Sequence, residues 1–80
     1  QEDMMQYLIV RAKKRGTETF LNNLPVLIDG EENGVTDNMI KVDAGILDIT
    51  VKAAGAAKPI VVDLSDTNQS EPKVVEVEVD

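Results

Sequence analysis

Asp29, Glu31 and Asn33 recur at every second residue ahead of Gly34, the spacing with which oxygen ligands open a calcium-binding loop. The pattern does not complete one. Its twelfth position, where a bidentate Glu belongs, is Ile40, and no helical pattern flanks it. Two readings remain: weak calcium binding through Asp29, Glu31, Asn33 and Asp37, and an acidic, solvated hairpin. A second set of residues is cationic. Arg11, Lys13, Lys14 and Arg15 lie within one short stretch and could hold a phosphate or an acidic partner, since clustered cations raise the local potential. The alternative is a solvated strand end that balances the acidic remainder of the surface.

Catalysis has little to draw on. The chain has no His and no Cys, and its only serines, Ser65 and Ser70, sit in a polar stretch. A Ser-His-Asp arrangement, a disulfide and a thiolate zinc site are therefore excluded. All fifteen acidic residues fall in turns or on polar strand faces, where solvation accounts for them without acid–base chemistry. No enzymatic activity and no cofactor are expected. Tyr7 and Phe20 are the only aromatic residues, too few to stack bases or to form a platform for a sugar face.

Charge narrows the partners further. The net charge is −7, but residues 1–15 carry +2 and residues 16–80 carry −9, with four Lys against thirteen Asp and Glu. Most of the surface should repel nucleic acid and anionic membrane. No apolar run approaches the roughly 20 residues that a spanning helix requires. Residues 1–3 are polar and unlike a signal peptide. Gln1 is not an initiator, so a removed leader, an imposed boundary and a start at Met4 or Met5 all stay open.

These groups must be positioned by a small fold. Eighty residues allow one domain, 1–80, whose first four residues are expected to be disordered; a chain of this size buries only about 60% of its unfolded surface. Its core must be aliphatic. Residues 4–14 are ambiguous, because Met5, Leu8, Ile9 and Ala12 have helical spacing while Tyr7-Leu8-Ile9-Val10 is rich in strand formers. A strand over 5–13 is the favoured reading, with a turn at Arg15-Gly16-Thr17.

Residues 17–21 are a weaker strand candidate, and Asn22 to Pro25 a connector. The run Val26-Leu27-Ile28 into Asp29-Gly30, a short acidic turn and Gly34 gives a hairpin signal, with the chain turning back towards Met39-Ile40. Strands are expected over 25–29, 38–42, 46–53 and 60–64, and in the alternation of Val75, Val77 and Val79 with Glu76 and Glu78. Residues 53–58 read as a loop, because Gly55 and Pro59 leave too little for a helix. Residues 65–72 are polar and long enough to cross between sheets. Six or seven short strands with turns between them predict an all-β fold, a small antiparallel β-sandwich.

Val26-Leu27-Ile28-Asp29-Gly30, then Gly34-Val35-Thr36, then Val42-Asp43-Ala44-Gly45 leading into Ile49-Thr50-Val51, resemble a PEGA domain. The Pro-Glu-Gly-Ala string that names that family is absent, with Asn22 to Pro25 near its place, and Asp37 stands where the family commonly has Pro. The resemblance implies a non-catalytic β module of a bacterial or archaeal multidomain or surface-associated protein that binds or spaces. It tilts localisation slightly towards the cell envelope or exterior.

The expected role is accordingly protein interaction or spacing, through an exposed strand edge (residues 7–11 or 74–79) or through the 29–37 loop. The partner would be another protein or a second copy paired edge to edge. An adaptor that uses Arg11 to Arg15 on an acidic partner or anionic surface is the alternative.

Overall fold

Each expected run of alternating aliphatic residues is a strand in the computed structural model, which describes residues 5–80; the expectation for residues 1–4 lies outside the described residues. The strands are β1 (Met5–Lys14), β2 (Phe20–Leu21), β3 (Pro25–Ile28), β4 (Glu31–Val35), β5 (Met39–Asp43), β6 (Gly45–Val51), β7 (Ile60–Leu64) and β8 (Lys73–Val79). The helical reading of the first segment gives way to the strand reading from Met5 onward. The protein is a small all-β sandwich of two four-stranded sheets.

One sheet is built around β1. Its first half pairs antiparallel with β5 and its second half with β2, both on one edge. Its other edge pairs with β8 over Leu8–Lys73 through Lys14–Val79, and this pair is parallel. The second sheet has the order β4-β3-β6-β7 and is antiparallel throughout. The polar segment 65–72 is the crossing from β7 in one sheet to β8 in the other. Thr67 pins it: the Thr67 hydroxyl accepts the Tyr7 amide at 2.7 Å and donates to the Gln6 side-chain carbonyl at 2.7 Å. That contact occupies β1 ahead of the point where β8 takes over.

The two inner faces supply the core. Leu8, Val10, Ala12, Ile40, Val42, Val75, Val77 and Val79 come from the first sheet, and Val26, Ile28, Leu47, Ile49, Val51 and Leu64 from the second. The period-two pattern puts all of them inward without exception within a strand. With aliphatic residues alone, close packing of β-branched chains replaces the aromatic mass of larger cores.

The hairpin around Asp29 corrects the sequence reading. The chain reverses within two residues: Asp29 and Gly30 both have positive φ, at 52° and 84°, as a tight type I′ hairpin turn demands. The returning strand is β4, with Ile28 opposite Glu31, and Met39-Ile40 belongs to β5 in the other sheet. No alternation marks β4 in the sequence, because it is an exposed edge strand with no buried alternate residues. Its register shifts against β3 between Pro25 and Leu27, which leaves Asn33 and Gly34 facing one residue, a bulge. Gly34 has φ 75°, and a Cβ there would lie 2.8 Å from Ile40 Cγ1. Only glycine suits that place.

Candidate functional site

Two of the hairpin's candidates, Asp29 and Asp37, are used by the fold. The Asp29 amide donates to the Asp48 carbonyl at 2.8 Å, and the Asp29 carboxylate accepts the Asp48 amide at 3.0 Å. Asp29 thus closes the end of the β3–β6 ladder, satisfying main-chain groups that would otherwise face water alone. Glu32 pairs with Lys52 at 3.4 Å. Glu31 and Asn33 are exposed on β4. Asp37 donates its amide to the Val10 carbonyl and lies 3.9 Å from Arg11 Nε. A shallow depression of about 340 Å³ touches Asp29, Glu31, Asn33, Lys41 and Asp43, but among the described residues no group of three or more acidic side chains is arranged to hold a metal ion.

The Thr36 side of the same loop is structural too. Thr36 is 0% exposed; its hydroxyl accepts the Leu24 amide at 3.1 Å while its own amide donates to the Leu24 carbonyl at 2.9 Å. That double contact ties the connector before β3 to the turn after β4. In the sequence, Thr36 is marked only by the Gly34-Val35-Thr36 part of the family resemblance.

The basic stretch is not one patch. Strand alternation sends Arg11 and Lys13 to the outer face of the β1 sheet, while Lys14 and Arg15 lie at the strand's end. Arg11 stacks its guanidinium 4.0 Å from the Phe20 ring centroid and faces Asp37. Lys13 pairs with Glu18 at 3.3 Å and Arg15 with Asp80 at 3.4 Å. Only Lys14 of the four is outside an ion pair among the described residues. A cluster divided and neutralised in this way raises little net potential.

The strand edges differ from expectation in one respect. β1 is paired on both edges, so residues 7–11 cannot accept a partner strand; a parallel neighbour arriving from the far end of the chain fills the place. The edge of β8 remains. Val79 gives its carbonyl to the Arg15 amide on the β1 side, while Glu78 gives its carbonyl to the Lys58 amide on the outer side at 2.9 Å. Alternation therefore directs the main-chain groups of Val74 and Glu76 outward. The segment 56–58 covers only the end of this edge, through Ala57–Val79 and the Asp80 amide on the Ala56 carbonyl. Pro59 then turns the chain away, and Ile60 pairs with Ile49 in the other sheet. Among the described residues, no strand pairs the outer edge of β8 over residues 73–77.

This edge adjoins an apolar row. Met39 and Val74 both lie opposite Ile9, on either side of it, so Met39, Ile9 and Val74 form a line across the outer face. Val74 is 54% exposed. The next rows pair Arg11 with Glu76 and Lys13 with Glu78. Beside the open edge is a cleft of about 230 Å³ lined by Lys58, Ile60, Glu76 and Glu78. The other sheet also exposes Ile46 at 71% and Val61 at 70%, on β6 and β7, diagonal to one another through the Ile46–Asp63 and Asp48–Val61 pairs.

Fold and surface define a structural class: a small β-sandwich in which, among the described residues, no strand pairs the outer edge of β8 over residues 73–77. No protein-family model matches the chain, and no curated protein and no solved structure matches it. The resemblance to PEGA domains rests on the quoted residues around Asp29, Thr36 and Gly45 alone. Among the described residues no helix is long and apolar enough to cross a membrane.

Proposed function

We propose that this domain is a non-catalytic protein-interaction module that accepts a partner's strand along the outer edge of β8. The observation that carries the reading is the unpaired edge at residues 73–77, with Val74 exposed beside it. Main-chain hydrogen bonds from Val74 and Glu76 supply affinity, and the side-chain rows on either face supply selectivity. The 29–37 loop is the weaker choice, since Asp29, Thr36 and Asp37 are engaged within the fold. The PEGA-like residues support a setting within a bacterial multidomain or surface-associated protein.

The test is titration of the labelled domain with a short blocked peptide that alternates Val and Thr, followed by amide NMR shifts. Shifts centred on residues 73–77, with slowed amide exchange at Val74 and Glu76, support the reading. Glu76→Pro should abolish them while the fold persists, because that amide points away from β1 and edge strands tolerate proline. Shifts confined to other strands, or none at millimolar peptide, refute it.

A further inference from the structure

We infer that the strand received by β8 is a basic one, with Lys or Arg opposite Glu76 and an aliphatic residue opposite Val74. This rests on the strand-addition reading above and adds the chemistry of the partner.

Charge leads to it first. Each outer row of the β1 sheet ends on β8, and beyond the apolar row those ends are Glu76 and Glu78. Their neighbours on β1 are turned to other partners, Arg11 to Asp37 and Phe20, and Lys13 to Glu18. Neither Glu76 nor Glu78 belongs to an ion pair among the described residues. Lys58 is the one cationic residue lining the cleft beside them, and it forms no ion pair with either among the described residues. A cationic side chain on an added strand would stand directly opposite Glu76, where opposite charges across a ladder attract and like charges repel.

The apolar row sets the second position. Two residues along an added strand, on the same outer face, the side chain opposite Val74 continues the line of Met39, Ile9 and Val74. The residue between them points to the inner face, the side on which Val75 is buried, and is best apolar. An antiparallel partner therefore reads basic, apolar, apolar in its own direction past Glu76, Val75 and Val74. The stretch is short, because Lys58 already holds the Glu78 carbonyl.

A second copy of this chain fits poorly. A two-fold pairing centred on Val75 sets Val74 against Glu76 twice, and one centred on Glu76 sets carboxylate against carboxylate. One centred on Val74 puts Pro72, which has no amide hydrogen, opposite Glu76. Both copies would also bring a net charge of −7.

The experiment uses three blocked peptides with a common alternating Val backbone whose outer-face residue is Lys, Thr or Glu, titrated against the intact chain by amide NMR at low salt. The expected result is shifts at residues 73–77 for all three. Affinity for the Lys peptide should exceed that for the Glu peptide by about three- to tenfold, the combined effect of one exposed cross-strand attraction and one repulsion. The gap should narrow in high salt. Glu76→Gln should shrink the preference and Glu76→Lys should invert it, with the unperturbed remainder of the spectrum reporting that both variants fold. Equal affinities for the three peptides at residues 73–77 would overturn the charge inference and leave strand addition standing. Absence of shifts there with every peptide would overturn both.

Discussion

Thr36→Val separates a structural hydroxyl from the shape that carries it. Thr36 is wholly buried, and its hydroxyl is the acceptor for the Leu24 amide. Valine keeps the β-branch and the main-chain bond from residue 36 to the Leu24 carbonyl, so only the acceptor is lost. A part-buried amide left unpaired costs about 1–3 kcal/mol, and the extra buried methyl returns about 0.8 kcal/mol. The net expectation is a destabilisation of about 1 kcal/mol, which in a domain of this size lowers Tm by about 4–8 °C. Urea unfolding should show a lower midpoint with an unchanged slope. Thr36→Ser loses a methyl and can cost as much, so the total alone does not discriminate. Amide exchange at Leu24 does: it should accelerate in the Val variant and stay protected in the Ser variant. A Val variant with wild-type stability and a protected Leu24 amide would refute the assigned role.

Two other substitutions probe the same loop and the cationic stretch. Gly34→Ala should cost about 1–3 kcal/mol in urea unfolding, since a side chain at positive φ is strained and its Cβ would displace Ile40; an unchanged midpoint would count against the bulge geometry. Joint replacement of Lys13, Lys14 and Arg15 by Gln removes two exposed ion pairs and should change stability by less than about 1 kcal/mol in the same assay. Peptide shifts at residues 73–77 should survive that triple change; their loss would restore the adaptor alternative.

Much of the architecture was legible because burial in a sandwich follows a period of two. Leu47, Ile49 and Val51, then Ile60, Val62 and Leu64, then Val75, Val77 and Val79 declared both a strand and an inward face. Alternation does not say which strand is the neighbour. The parallel pairing of β1 with β8 joins the two ends of the described chain, and no local pattern encodes it. The hairpin turn at Asp29-Gly30 was visible, but its return strand was not, since Glu31 to Gly34 bury nothing that would mark them. Asp29 illustrates the limit for sites. Its carboxylate has the spacing of a metal ligand, yet a main-chain amide on β6 claims it.

The course of the chain explains why the edge of β8 is open. The sheet of β1 ends on β5 and β2 at one side, and β5 runs next to β4 of the facing sheet. At the opposite side the chain begins to cover β8 and then abandons it. Ala56 and Lys58 make two main-chain bonds to the end of β8 before Pro59 breaks the run and Ile60 joins β6. Had residue 60 continued along β8, its amide would have met the Glu76 carbonyl and closed the edge. The diversion builds β7, which completes the core through Leu64, at the cost of leaving Val74 and Glu76 open. Exposed edges invite uncontrolled pairing, and charged outer residues restrain it. On the proposed reading, Glu76 and Glu78 do so against copies of this acidic chain, and the same two carboxylates favour a basic strand. In the proposed role, one feature serves both to keep the domain apart from itself and to select the strand that joins it.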